Sequence, residues 1–349
     1  MNIVNTNTLE NPAENPADFG FYMPGEFTPH TCCWMAWPSR AGEWGDAAET
    51  AQEYADVANA IARFEPVMML TPPHRAAAAR ALLGKNVSVI EMPIDDSWAR
   101  DSGPNFLINA DGEVAGSKWQ FNAWGKKYDP YDQDALMGSR ILQHAGVREF
   151  TSRMVAEGGS ISVDGEGTII TTESCLLNPN RNPTWTRAEI EAELCRTLGA
   201  EKVIWLPGDV EETETDGHVD GVAAFIEPGR VLMEINPDKK DPHFYVGQEN
   251  LAALRGQTDA RGRKLEIEFI HEGPYHPDVW NKGCSSYINS YLANGGVVVP
   301  AYGYDRDRAA VETYQRLYPQ RVITQVYIGQ IALGGGGVHC ITQQQPSAA

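Results

Sequence analysis

Four times along the chain a glycine-bearing turn stands between two short β-rich runs. Asp111-Gly112 separates residues 106–108 from 114–119, and Asp164-Gly165 separates 161–163 from 168–171. Pro228-Gly229 divides 222–226 from 231–235, and Asn294-Gly295-Gly296 divides 287–292 from 297–300. Such turns are the signature of a β-hairpin. Helical patterns fall between them. Tyr54, Val57, Ala58, Ile61 and Phe64 share a helix face, as do Ile190, Leu194 and Leu198, and Ala309, Val311, Tyr314 and Leu317. The second of these opens with Thr186 and Glu189 at capping-box spacing. The three helices lead into single apolar runs at 67–70, 203–206 and 322–327. The chain therefore reads as hairpin, helix, strand, repeated every roughly 55 to 65 residues. Counting a last strand pair that joins the C-terminus to the segment near Trp34 gives about five units. Units that cannot bury their own faces pack around a common axis. An α/β propeller closed by its two termini is the fold expected. An open parallel α/β sheet fits less well, because its strands are joined by crossovers instead of hairpins.

With 349 residues, 42% of them apolar, the chain can bury a large core. Residues 1–20 are polar, acidic and proline-bearing, without the basic start and apolar centre of a signal peptide. They read as a flexible lead-in to a single catalytic domain over 21–346. No run of about 18 apolar residues marks a transmembrane helix. A formal net charge of -19 argues against nucleic acid and anionic membranes as partners, and suits a cationic substrate. The six cysteines are scattered without a CxxC pair. A chain of this size needs no disulfides, so they read as reduced thiols of a cytoplasmic protein, most of them small buried residues.

Reactive residues recur at one place in the repeat. Asp95-Asp96-Ser97-Trp98-Ala99-Arg100-Asp101 precedes the first hairpin, and Glu157-Gly158-Gly159-Ser160 the second. Thr215-Asp216-Gly217-His218-Val219-Asp220 precedes the third, and Gly334-Gly335-Gly336-Gly337-Val338-His339-Cys340 lies near the C-terminus. In a closed ring these places converge on the axis. Together they supply what guanidine chemistry requires. A guanidinium is planar and protonated at neutral pH. The carboxylates of Asp96, Glu157 and Asp220 can fix its plane through its N–H groups. The Cys340 thiolate can attack its carbon, and His218 can protonate the leaving nitrogen and then activate water.

Each group also has a plainer reading. Cys340 alone would be a buried thiol. The four glycines around Gly335 allow the backbone close to a ligand, and no Lys-Ser or Lys-Thr follows to make a phosphate loop. Strand alternation points His339 away from Cys340, which favours His218 as the acid/base and leaves His339 a structural role. His218 and Asp220 could instead hold a metal, but HExxH and dense histidine clusters are lacking, and no metal is expected. His30, His74, His144, His243, His271 and His276 are isolated. Glu157 could merely satisfy the amides of Gly158 and Gly159, and Arg100 with Asp101 reads as a structural ion pair. Trp34, Trp37, Trp98 and Trp124 are core or pocket wall. Trp98 is the best wall candidate, two residues after Asp96 on the same face of an extended segment.

The segments WMAWPSR (34–40), DDSWARDSGP (95–104), FNAWG (121–125), EGGSISVDGEGT (157–168), LLNPNRNP (176–183), ETDGHVD (214–220) and GGGGVHCITQQQP (334–346) resemble those of agmatine deiminases, in the same order. The resemblance implies the pentein fold, a five-bladed α/β propeller with pseudo-fivefold symmetry. It implies hydrolysis of agmatine to N-carbamoylputrescine and ammonia without a cofactor, with Cys340 as nucleophile and His218 as acid/base. Asp96, Glu157 and Asp220 fall in the family's carboxylate positions, and Trp98, Trp124 and Gly335 in the pocket. The chain departs from the family pattern at Gly337, where asparagine is usual, and at Gly221, where asparagine usually follows the HVD triplet. It departs again at Lys126-Lys127 through Tyr131, and at Ser290, where an aromatic is expected. The two lysines admit a substrate bearing a carboxylate, such as arginine or a peptidylarginine. An amidinotransferase of the same fold, a metal-dependent hydrolase and a non-catalytic guanidine binder are the other readings, and a homodimer is compatible with all of them.

Overall fold

The computed structural model describes residues 14–40, 42, 47–273 and 284–348. Residues 1–13 of the expected lead-in and His276 lie outside them. The remainder of the lead-in is built structure, not a flexible tail. Pro16–Phe19 forms a 3-10 turn capped by the Asn15 side chain and by Gly20 at φ 72°. Phe19 packs on Phe150 under the Arg148 guanidinium, and Tyr22 bridges to Ile108.

Five small sheets repeat one topology: an antiparallel hairpin, then a helix, then a strand returning parallel to the second one. The first blade joins the chain ends as expected. Thr342–Pro346 runs antiparallel to His30–Ala36, with Trp34 opposite Gln343, and Val67–Thr71 and Val87–Glu91 follow in parallel. The second blade is Asn105–Ile108, Val114–Gln120 and Arg148–Val155. The third is Ile161–Val163, Thr168–Thr172 and Lys202–Leu206. Ala223–Glu227, Arg230–Ile235 and Glu266–His271 make the fourth. Tyr291–Ala293, Gly296–Ala301 and Val322–Tyr327 make the fifth. This is the five-bladed α/β propeller; among the described residues no sheet exceeds four strands, so the open-sheet alternative falls away.

The crossover helices are Ala47–Ile61, Met137–Ala145, Arg187–Leu198, Pro242–Leu254 and Arg306–Leu317. Each lays an apolar stripe on the strands. Tyr54, Val57, Ala58 and Ile61 are wholly buried, and Ile190, Leu194 and Leu198 nearly so. The capping box at Thr186 and Glu189 forms in both directions, satisfying two amides of the helix start. On the helix Arg306–Leu317 the buried stripe is Ala310, Tyr314 and Leu317, so Ala309 is exposed and Val311 only partly covered. No helix among the described residues is long and apolar enough to cross a membrane.

One expected strand is shorter than its apolar pattern. Residues 287–292 begin their ladder only at Tyr291. The Tyr287 and Ile288 amides donate instead to Glu234 Oε2, at 2.7 and 3.0 Å. A buried side chain thus replaces a neighbouring strand, and the freed segment turns Asn289 toward the axis.

Candidate active site

The segments ahead of the hairpins meet at the axis. Glu157 enters the 3-10 turn Gly158–Ser160, His218 enters the turn Val219–Gly221, and Cys340 enters the closing strand. Asp220 and Cys340 touch, with Sγ 3.7 Å from Asp220 Oδ2. His218 Nε2 lies 3.4 Å from Glu157 Oε2, and its Nδ1 faces Asp101 Oδ1 at 3.8 Å. Gly159 is the floor between them. A Cβ there would sit 2.6 Å from His218 Nδ1 and 3.1 Å from Asp220 Oδ2. Gly335, at φ 99°, lines the cavity with Gly336, His218, Asp220 and Cys340, in a backbone conformation that excludes a side chain without strain.

The charges are set by burial and by specific partners. Burial pushes the Cys340 thiol well above its ordinary value, and the carboxylates of Asp220 and Asp101 push it further. The thiol is therefore protonated in the free protein at neutral pH. Burial disfavours charge on His218, but Asp101, Cys175 and Glu157 outweigh it and hold the imidazole well up, as an imidazolium. Burial would raise Glu157, yet the Arg181 guanidinium at 2.7 Å and His218 bring it below the usual carboxylate range. Asp220 is likewise brought below that range against burial, chiefly by His339 at 2.8 Å.

Asp96 stands apart. Among the described residues it bonds to Arg40 Nε at 2.7 Å and to the Ser97 amide and hydroxyl, instead of to any of the other four groups. Burial raises its pKa despite Arg40. Trp98 adjoins the nucleophile. A Cβ on Gly336 would lie 2.3 Å from its ring and 3.0 Å from Cys340 Cβ. Trp124 packs edge-on to Trp98 and donates Nε1–H to Asp101 Oδ2 at 2.9 Å. Its own φ is 53°, flanked by Ala123 at 53° and Gly125 at 92°, a left-handed run held by the surrounding packing. Trp34 and Trp37 are core residues.

One expectation changes. Arg100 and Asp101 are not an ion pair. They sit in one short turn, Ala99–Ser102, and point apart. Arg100 reaches Glu26 and Gln344, whereas Asp101 accepts the Gly159 amide and faces His218. Nor do His218 and Asp220 form a ligand group together. The close ligand sets among the described residues are Glu157–Cys175–His218 and Asp241–His243–Glu272, and Glu157 in the first already carries Arg181.

Asn289 was not anticipated. Its Nδ2 donates to Cys340 Sγ at 3.2 Å, and its Oδ1 accepts from the His339 and Cys340 amides at 2.9 and 3.3 Å. It occupies the space a side chain at Gly337 would need, 2.4 Å from a Cβ built there. The departure at Gly337 and the presence of Asn289 are thus one packing solution. Its absence from the sequence reading follows from the apolar run around it, which suggested a strand.

A cavity of about 300 Å³ leads outward from Cys340 and His218. Asp209, Glu211, Glu212 and Glu214 line its outer part. Lys127, a residue that could have met a substrate carboxylate, is engaged with Asp216 Oδ2 at 2.9 Å and the Glu214 carbonyl at 3.0 Å.

Residues 22–346 match the family model described as Porphyromonas-type peptidyl-arginine deiminase. The agmatine deiminase of Pseudomonas aeruginosa is 41% identical, over 97% of this chain and 99% of its own. A Legionella pneumophila protein provisionally named an agmatine deiminase is 46% identical, over 95% and 97%. The solved agmatine deiminase of Enterococcus faecalis superposes with a TM-score of 0.91 at 38% identity, covering 97% of this chain and 99% of that one. With its five-bladed propeller and nearly full-length match, the chain belongs to the Porphyromonas-type peptidyl-arginine deiminase family, and it is similar over nearly its whole length to agmatine deiminases.

Proposed function

We propose that this protein hydrolyses agmatine to N-carbamoylputrescine and ammonia through a covalent intermediate on Cys340. The observation that carries the reading is the contact of one thiol with Asp220, beside His218 and Glu157, at the inner end of an acid-lined cavity. A guanidinium entering there meets carboxylates that accept its N–H groups, and its charge lowers the pKa of the thiol beside it, whose proton leaves through the cavity to solvent because His218 already holds one. The thiolate attacks the guanidinium carbon and forms the C–S bond. His218, already an imidazolium, gives its proton to the departing nitrogen, and the C–N bond breaks to release ammonia. The neutral imidazole then takes a proton from water as the oxygen adds to the thiouronium carbon. The C–S bond breaks as the added hydroxyl gives its proton to the departing sulfur, leaving the ureido product and the resting thiol. Glu157, held by Arg181, orients His218; Gly335 lines the pocket, Trp98 backs Cys340 across Gly336, and Asp96 is taken up by Arg40.

The acidic outer cavity favours a substrate whose far end is also cationic, as agmatine's amine is. With Lys127 engaged by Asp216, one of the two lysines that suggested a carboxylate-bearing substrate is already taken up. All six cysteines are free, which suits a reducing cytoplasmic setting, and residues 21–346 act as one catalytic unit. The test is ammonia release from agmatine, arginine and methylguanidine by the wild type and by Cys340→Ala. Release from agmatine alone or fastest, abolished in the variant, is expected. Release that survives the substitution overturns the thiol mechanism, and release only from another guanidine overturns the substrate.

A further inference from the structure

His339 stands beside the nucleophile in sequence, in the turn that precedes the closing strand Thr342–Pro346. Its Nδ1 lies 2.8 Å from Asp220 Oδ2 and its Nε2 lies 2.9 Å from Glu26 Oε2. Glu26 in turn accepts the Leu292 amide at 2.9 Å through Oε1, and Arg100 Nη2 lies 3.3 Å from Oε2. Arg100 Nε points at the His339 carbonyl at 3.4 Å. A neutral imidazole has one donor and one acceptor nitrogen, whereas an ionised carboxylate only accepts. Two carboxylate partners therefore require both ring nitrogens to donate, which makes His339 an imidazolium. Asp220, His339, Glu26 and Arg100 then form an alternating row of charges with no net charge. The row runs from the thiol to a second, mostly apolar cavity of about 60 Å³ behind the site, lined by Met23, Ile161, Leu232 and Tyr314.

The atom that His339 holds is the atom that meets the thiol. Asp220 Oδ2 is 2.8 Å from His339 Nδ1 and 3.7 Å from Cys340 Sγ. We infer that His339, buttressed by Glu26 and Arg100, is a positioning residue that keeps Asp220 ionised and aimed at the reacting centre. This role rests on the function proposed above, because it matters to turnover only if Asp220 receives the guanidinium. The other charged groups facing Asp220 are His218 and Arg100, and Asp101 lies beyond His218. The directions agree. His339 is pushed up by Glu26 and Asp220 against burial and Arg100, and Glu26 is brought down to about 2, burial being outweighed by His339 and Arg100.

The sign of the effect is fixed. Removing the His339 charge leaves a buried carboxylate next to a thiol, so the Asp220 pKa rises and its ionised form is lost at a higher pH. The experiment follows the Asp220 carboxyl carbon by NMR in 13C-aspartate-labelled protein, assigned by its disappearance in Asp220→Asn. It is done alongside the pH profile of kcat/KM for agmatine. In the wild type the signal titrates below the ordinary aspartate range. In His339→Asn it moves up by about one pH unit or more, in Glu26→Gln by less, and the acid limb of kcat/KM moves with it. A signal that stays at its wild-type position in folded His339→Asn overturns the inference. If that variant does not fold, Glu26→Gln decides by the same signal. If the wild type does not turn over agmatine, the proposed function fails, and the NMR titration alone still tests whether His339 keeps Asp220 ionised.

Discussion

Asn289 Nδ2 donates to Cys340 Sγ across 3.2 Å, while the same side chain accepts the Cys340 amide through Oδ1. One residue from the fifth blade thereby fixes both the backbone and the sulfur of the residue that closes the ring. A thiolate at Sγ gains a donor there, so the contact strengthens as charge develops. Asn289→Ala removes that donor and leaves the buried His339 amide without its shorter side-chain acceptor. The expected result is a fall in kcat of about ten- to hundredfold with a smaller change in KM, read from steady-state ammonia release. An unchanged kcat would mean that the sulfur needs no such donor.

Asp220 raises the pKa of the thiol it touches, so neutralising it has two opposite consequences. Cys340 is held up first by burial and then by the charges of Asp220 and Asp101. Asp220→Asn lowers the thiol pKa by removing one of these charges, yet it also removes an acceptor for the guanidinium. Turnover is expected to collapse while alkylation of Cys340 by iodoacetamide near neutral pH becomes faster than in the wild type. Slower alkylation in the variant would show that Asp220 acts as a base toward the thiol in the free protein.

Turn chemistry and helix periodicity suffice to place four hairpins, three of the crossover helices and the closure of the ring. They suffice because four of the five blades carry their own glycine turn and apolar face, and the fifth is left to the two chain ends. Arg148–Val155 and Glu266–His271 are less legible, since charged residues interrupt their apolar pattern. At the site, Glu157, the His218 and Asp220 pair, and Cys340 stand out because they occupy a comparable place in three different units. What periodicity cannot carry is which charges pair across blades. Arg100 and Asp101 are adjacent in sequence, and only the tight turn at Ala99–Ser102 sends one to Glu26 and the other toward His218. The claim of Arg40 on Asp96, and that of Arg181 on Glu157, are likewise matters of three-dimensional reach.

The Arg181–Glu157 pair is fully buried on both sides, and Arg181 also bonds Asp216 at 2.7 Å. Replacing Arg181 by methionine keeps most of the volume and leaves the buried Glu157 charge with His218 as its one remaining cationic partner among the described residues. A loss of about 3–5 kcal/mol is expected at pH 7 from urea denaturation. The pH dependence has a definite sign. In the wild type Glu157 is brought below its ordinary value, so its stabilisation is present above the unfolded pKa and is lost as pH falls through the folded one. In Arg181→Met burial is no longer opposed by the guanidinium, and Glu157 takes up its proton at higher pH. The deficit against the wild type therefore narrows as pH is lowered toward the carboxylate range, and a deficit constant with pH would assign the loss to packing alone.

Gly159 separates steric from electrostatic control of the same site. Its backbone lies outside the left-handed region, so alanine brings no backbone strain; the whole effect comes from one methyl group. That methyl would lie 2.6 Å from His218 Nδ1, 2.8 Å from Asp101 Oδ1 and 3.1 Å from Asp220 Oδ2. Three catalytic or positioning groups must retreat by several tenths of an ångström, and each is fixed on its far side. Asp101 accepts from Trp124 and the Gly159 amide, Asp220 from His339, and His218 abuts Glu157. The displacement therefore cannot be absorbed by one flexible end. Gly159→Ala is expected to cost about 1–3 kcal/mol of stability, because the site is overpacked, and about a hundredfold or more in kcat, because the acid and the carboxylate no longer share the reacting atom's geometry. The pH profile of the residual activity should keep its wild-type limbs, since no charge has been removed. A shifted limb would instead mean that the methyl acts by excluding solvent from His218, and thermal unfolding with steady-state kinetics on one preparation distinguishes the two.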